Sequence, residues 1–366
     1  DLVNFDKDGF YNNSIYLSAS SEFLAVEIDK TEKIEPAKRT TFLFQELMRA
    51  ASENTEAFVL EDLKRLAFFH RRSKHKDKDS LYQSALNQLI EKHIEHQVSS
   101  DIRHAIGQLL FNHGNSFNIK SGDDKLQRKW NAAHQVCKAG VSAFPNSIGA
   151  KNCKALISQI EQRKIGLSAR QVVLPNADFL VKLDYRNVGS NNKSTWPVYA
   201  RVATLDPIEF RREQRGNYGD KQIRWLKKIS TPILDTNFDL PNPGDLREHG
   251  VELPFDGLPI GTYVVFIGTD NKFSTSKNAV GYAIITVSNI ATIQQDLPDG
   301  RTRLSIKSRD NGTALIGATV QLVEQQYDRS SRTQIFDMKE ELSTDENGEV
   351  FWRPTKGGRR ENLIVD

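Results

Sequence analysis

Cysteine is scarce, with two residues in 366, so a small disulfide-dense scaffold is excluded and the chain must hold itself by burying apolar surface. Long apolar runs are missing too. No stretch approaches the eighteen residues that a membrane-crossing helix needs, which predicts no direct membrane span. Neither sign of charge dominates: 50 Lys and Arg face 47 Asp and Glu, for a net charge of +3. That balance gives no electrostatic reason to expect a nucleic-acid partner. No signal-like region follows Asp1, and the sequence ends at Asp366 directly after the apolar run Leu363-Ile364-Val365, which predicts a piece of a longer protein. At 38% hydrophobic and 27% charged residues, with mean hydropathy −0.53, the rest is an ordinary globular composition long enough for two or three domains.

Proline and glycine are unevenly spread. Residues 1–164 hold 2 Pro and 6 Gly, leaving 10 of the 12 Pro and 16 of the 22 Gly for residues 165–366. Histidine runs the other way, with seven of eight before the boundary, together with both cysteines. The first part carries a helical period. Leu81, Tyr82, Ala85, Leu86, Leu89, Ile90 and His93 share one stripe, and weaker stripes run through Phe44 to Ala51, Leu60 to Ala67 and Ile102 to Leu110, the last with a cap expected at Ser100. A further pair of helices, Trp130 to Val141 and Ile148 to Ile160, is separated by Phe144-Pro145-Asn146-Ser147, where proline stops one helix and Ser147 caps the next.

The second part has a period of two. Phe179, Val181, Leu183 and Tyr185 alternate with polar residues, and similar strands are expected at Val198–Thr204, Gly261–Gly268, Tyr282–Ser288, Thr302–Ser308 and Ala318–Val323. The turn signals are Pro241-Asn242-Pro243-Gly244, Asp256-Gly257, Asn311-Gly312 and Asn347-Gly348, the last read as a hairpin. The expected fold is therefore multidomain α + β, a helical-hairpin stack followed by two antiparallel β-sandwiches. Its divisions are an irregular lead-in with room for one strand over 1–35, a helical-hairpin domain over 36–165, a sandwich over 166–293, a break at Gln294–Gly300 and a second sandwich, cut short, over 301–366.

Catalytic signatures are absent. There is no G-x-S-x-G, no glycine-rich phosphate loop, no H-E-x-x-H and no Cys-His-Asn arrangement that this fold would place together, so no enzyme, catalytic residue, cofactor or metal is expected. His93 and His96 are close enough to share a metal, but no third ligand accompanies them. The basic run Arg71 to Lys78 lacks interleaved aromatics and reads as a solvated inter-helix loop. Asp345-Glu346-Asn347-Gly348-Glu349 lacks the spacing of an EF-hand loop, and Asp206 and Glu209 are ordinary surface carboxylates. Cys137 and Cys153 lie on facing stripes of one helical hairpin, nine residues before and seven after Asn146. On spacing alone they could form a disulfide or stay as two buried thiols.

The order of several segments resembles a known family. Trp130 to Arg163, with its Phe144-Pro145-Asn146-Ser147 turn and Asn152-Cys153-Lys154-Ala155-Leu156, is followed by Val172-Val173-Leu174-Pro175-Asn176 and Tyr185-Arg186-Asn187-Val188. Together these resemble the amino-terminal region of the alpha-2-macroglobulin-like proteins of Bacteroidetes. Gly250-Val251-Glu252-Leu253-Pro254 with Leu258-Pro259-Ile260-Gly261-Thr262-Tyr263, and Asn278 to Tyr282 with Val287 to Ile290, look like strands of a macroglobulin-like domain. Arg309 to Val320 with Ser343 to Gly348 is similar to the next such domain, and also to the carboxypeptidase-regulatory type of sandwich. The resemblance implies a non-catalytic scaffold piece of a protease-trapping protein in the cell envelope, exported, whose partners are the remaining domains of the parent and, through it, target proteases. It also implies an oxidising compartment, which favours the disulfide. The family's thioester motif, C-x-E-Q, is missing, since Cys137 precedes Lys138-Ala139-Gly140 and Cys153 precedes Lys154-Ala155-Leu156. The competing expectation is a surface module that binds a partner or glycan through its helical stack. Trp196, Trp225 and Trp352 are the aromatics to watch on an open face.

Overall fold

The computed structural model describes residues 10–28, 36–118, 120, 125–189, 193–207, 209–210, 218–276, 278–328, 333–353 and 360–365. The chain forms two compact units, one of Asp1–Gln162 with Asp245–Arg247 and the other of Arg163–Gly244 with Glu248–Asp366.

The first unit is helical. Its elements are α1 (Ser20–Leu24), α2 (Pro36–Ala50), α3 (Thr55–Arg72), α4 (Lys78–Lys92), α5 (Ser99–Asn115), α6 (Lys129–Ala143) and α7 (Ile148–Glu161). Where a strand was expected near the amino terminus, the described residues hold only short helical turns, Phe10–Asn12, Ser14–Leu17 and α1. The reason is what their aromatics bury against. The Phe69 ring of α3 lies 4.8 Å from Tyr16, 5.8 Å from Tyr11 and 5.9 Å from Phe23, ring packing that a single strand at this place would not gather.

The α4 stripe buries Tyr82, Ala85, Leu86 and Leu89, but the helix stops at Lys92 and leaves His93 as its cap. Ser100 does not cap α5. It lies inside the first turn, where its hydroxyl donates instead to Gly140 O on α6 at 2.9 Å. Ser147 does cap α7, its Oγ accepting from Ala150 N at 3.1 Å. Ser147→Ala should therefore cost about 1 kcal/mol. A thermal midpoint unchanged to within a degree would show that this bond contributes nothing.

The second unit begins with a sandwich. One sheet has strand order β1-β3-β6, from Lys164–Ala169, Phe179–Arg186 and His249–Phe255. The other has order β2-β8-β7-β4-β5, from Val172–Val173, Val280–Val287, Gly261–Gly268, Thr195–Leu205 and Ser230–Pro241. The strands pair antiparallel, except that Val172 and Val173 lie parallel to Thr286 and Val287. Phe179, Val181, Leu183 and Tyr185 face inward and meet Trp196, Val198, Val265, Ile267, Ile285 and Val287. The far face of the five-stranded sheet is covered as well. A helix absent from the sequence reading, α8 (Asp220–Ile229), packs Ile223 and Leu226 against Ala203, Val264 and Phe266. Covered on both sides, β7 is apolar from Tyr263 to Ile267 without alternation.

The second sandwich has sheets β13-β10-β9, from Glu349–Trp352, Thr302–Ser308 and Ile290–Asp296, and β12-β11-β14, from Thr333–Ser343, Thr319–Asp328 and Arg360–Val365. Leu304, Ile306, Val350 and Trp352 meet Val320 and Leu322 between them. Two expectations are corrected here. Gln294–Gly300 is not a break between sandwiches, because β9 pairs with β10 in register from Asp296↔Thr302 to Ile290↔Ser308, and Leu297 N donates to Arg301 O at 2.8 Å to close the hairpin. Nor is Asn347-Gly348 a hairpin turn, since β12 pairs with β11 whereas β13 pairs with β10. The turn carries the chain from one sheet to the other. Gly348, at φ +71°, is needed there, because a Cβ would stand 2.6 Å from Ile306 O.

Candidate functional site

The two cysteines come together where α5, α6 and α7 cross. Both side chains are fully buried. Apolar spacing brings Cys137 of α6 and Cys153 of α7 to the interior of the hairpin, and two glycines bring the helices close. A Cβ on Gly107 would lie 2.5 Å from Cys137 Sγ, and one on Gly140 would lie 3.3 Å from Cys153 Sγ. The thiols are free. Cys153 Sγ donates to Ser100 O at 3.7 Å. The neighbouring Cys137 and burial push the Cys153 thiol well above its ordinary value.

Other residues singled out in the sequence find structural places. His93 Nε2 is buried without a hydrogen-bond partner, and burial lowers its pKa; Lys92 and His96 act in the same direction. His96 accepts from Val98 N at 3.2 Å through Nδ1. Among the described residues no group of three or more His, Cys, Asp or Glu could hold a metal ion. Arg71 and Arg72 end α3 and Lys78 begins α4, with Ser73 to Asp77 between them. Asp345 accepts from Asn347 N and Glu349 N at 2.9 Å each, so its carboxylate holds the turn together. Asp206 accepts from Glu209 N at 2.9 Å. Trp196 and Trp352 are buried in the two sandwich cores, and Trp225 of α8 is half-buried, stacked on Phe210 at 5.6 Å.

Sequence reading missed two polar clusters in the helical unit. Arg65 and Asp62 are 0% and 1% exposed, and Arg65 Nε donates to Asp62 Oδ1 at 2.6 Å. The signal was available, because both residues share the α3 face with Val59, Leu66 and Phe69. The second cluster joins three helices. Asp79 Oδ1 lies 2.6 Å from His70 Nε2, and Asp79 Oδ2 lies 3.0 Å from His113 Nε2 in poorer alignment. Partial burial raises the Asp79 carboxyl, but the His70 hydrogen bond and the two imidazoles hold it below its usual value. Nothing in the spacing of residues 70, 79 and 113 announces this meeting, which depends on how α3, α4 and α5 pack.

No protein-family model matches the chain, and no curated protein does. Solved structures with some likeness include Escherichia coli alpha-2-macroglobulin in its native conformation, at 18% identity and TM-score 0.31, covering 56% of this chain and 12% of that one. The CARDB domain of the PF1109 protein from Pyrococcus furiosus aligns at 13% identity and TM-score 0.20, covering 35% of this chain and 88% of that one. Red sea bream transglutaminase aligns at 9% identity and TM-score 0.28, covering 62% of this chain and 33% of that one. The chain thus spans about an eighth of the alpha-2-macroglobulin. Among the described residues no helix is long and apolar enough to cross a membrane.

Proposed function

We propose that the chain is a non-catalytic scaffold segment of an alpha-2-macroglobulin-like protein of the Bacteroidetes type, one that traps proteases in the cell envelope. The observation that carries this reading is the order of folds: a helical unit, then two β-sandwiches joined with almost no linker. Strand β8 of the first sandwich ends at Val287 and β9 of the second begins at Ile290. The joint is pinned, since Arg309 N donates to Asn289 O at 2.7 Å and the Arg309 side chain donates to Ile290 O at 2.9 and 3.2 Å. Serial sandwiches tied this closely suit a shell that keeps its shape while another part of the parent is cut. The burial of Trp196 and Trp352 inside the two sandwich cores weighs against the glycan-binding alternative.

Two results test the reading. The purified chain, incubated with trypsin and run on a denaturing gel, should give no protease-linked band, because the reactive chemistry of a trap would belong to other parts of the parent. A band that survives boiling and disappears with hydroxylamine would show acyl chemistry here and overturn the scaffold role. In the parent protein, trypsin should cut outside residues 1–366 and then be retained by the cleaved protein, still active on small substrates. Cutting within these residues with no retention of trypsin would end the trapping proposal.

A further inference from the structure

We propose that Cys137 and Cys153 are a dithiol that closes into an intrachain disulfide across the α6–α7 hairpin, and that it closes while the chain folds, before α5 covers it. Three observations place the bond. Cys153 Sγ packs against α6 one turn beyond Cys137, where a Cβ on Gly140 would lie 3.3 Å from it, and both side chains belong to one buried cluster. The chain holds no other cysteine, so each is the other's only intrachain partner. The hairpin around them is short and fixed at its turn by Pro145 and the Ser147 cap, so α6 and α7 can align locally without the rest of the unit.

The order of events follows from access. Both side chains are fully buried, and Gly107 of α5 sits against Cys137 Sγ so closely that a single added carbon would lie 2.5 Å away. A mixed disulfide on Cys137 therefore has no room in the finished unit. In the hairpin alone, α5 does not yet cover that sulfur.

The chemistry is a two-electron thiol–disulfide exchange with a small disulfide such as oxidised glutathione. The Cys137 thiolate attacks one glutathione sulfur, forming a mixed disulfide and expelling one glutathione thiolate. Cys153 then gives up its proton to that thiolate or to water and attacks Cys137 Sγ, expelling the second glutathione. Two cysteine thiols are oxidised and one glutathione disulfide is reduced to two thiols.

Closing a loop of 15 or so residues should raise the folding equilibrium constant of the helical unit on the order of a hundredfold. The inference does not depend on the trapping role, since any compartment or buffer supplying a disulfide oxidant suffices.

The experiment takes the full chain, reduced and unfolded in urea, and refolds it by dilution into mixed oxidised and reduced glutathione. Free thiols are then alkylated under denaturing conditions and the chain is digested for peptide mass analysis. The expected result is no alkylated cysteine, a linked peptide pair containing Cys137 and Cys153, and a thermal midpoint of the helical unit that falls on adding reductant. Two alkylated cysteines, or glutathione retained on Cys137 with Cys153 free, would overturn the proposal. In a second arm the chain is refolded fully reduced and only then given oxidised glutathione; the linked pair should form at least tenfold more slowly than during refolding. Equal rates would overturn closure before α5 docks. Cys153→Ser is the control. It should leave a midpoint indifferent to reductant, and a midpoint that still falls would assign the effect elsewhere.

Discussion

Replacing Arg65 with alanine should lower the stability of the helical unit by about 3–5 kcal/mol, the range for removing one member of a buried ion pair. The guanidinium does four things at once. Besides the bond to Asp62, Nη1 donates to Tyr16 O at 2.9 Å, Nη2 donates to Ser18 O at 3.0 Å, and the group lies 4.5 Å over the ring of Phe23. Without it, Asp62 keeps the Ser20 hydroxyl at 2.6 Å but is buried without its cationic partner, and two carbonyls of the amino-terminal segment lose a donor. Desolvation of the stranded carboxylate is the larger part of the cost. The double replacement of Arg65 by Met and Asp62 by Leu removes both charges and should recover most of the loss, because well-packed apolar pairs commonly match buried ion pairs. Urea unfolding followed by far-ultraviolet circular dichroism gives both values. A loss under about 1 kcal/mol for Arg65→Ala would mean that the amino-terminal segment is held by its aromatic rings alone.

The second large effect belongs to the first sandwich, where Trp196→Ala should cost about 3–5 kcal/mol. Trp196 is 3% exposed and meets Tyr185 edge to face at 6.2 Å. Its indole fills the space beside Gly189, where a Cβ would lie 2.2 Å from Trp196 Cδ1. Alanine opens a cavity between Gly189 and the Tyr185 ring, so transfer and cavity costs add. Trp196→Phe keeps most of the volume and should cost less than half as much. Guanidinium unfolding of the two variants measures the difference. Equal losses would point to a specific role of the indole rather than to its volume.

Elements with a strong apolar pattern, alternating or continuous, were legible in the sequence. Strand β3 alternates as its residues do, and Gly261–Gly268 and Thr302–Ser308 occupy the spans their patterns predict. What escaped was structure whose face is shared or scarcely buried. Strand β5 is an edge strand with Ile233 and Leu234 exposed, so no alternation marks it. Helix α8 buries only Ile223 and Leu226 fully, and its lysines and arginine hide that spacing among strand-forming segments. Ser100 looked like a cap because its residue type suits one, yet its hydroxyl found a partner on another helix. Asn347-Gly348 gave the right turn but not its destination, since a turn signal carries no information about which sheet receives the next strand. The meeting of Cys137 with Cys153 was legible because a short hairpin fixes it. The meeting of His70, Asp79 and His113 was not, because it needs three helices in place.

The crossing of α5 and α7 has a bearing on motion. A Cβ at Gly149 would lie 2.2 Å from Asp101 N and 2.3 Å from Ser100 C, so the first turns of the two helices touch backbone to backbone. Helix ends ordinarily fray first, because their terminal amides lack partners within the helix. Here the first turn of α7 cannot loosen without disturbing the first turn of α5. The two turns open together or not at all, which makes the start of α7 one of the last places in the helical unit to admit water.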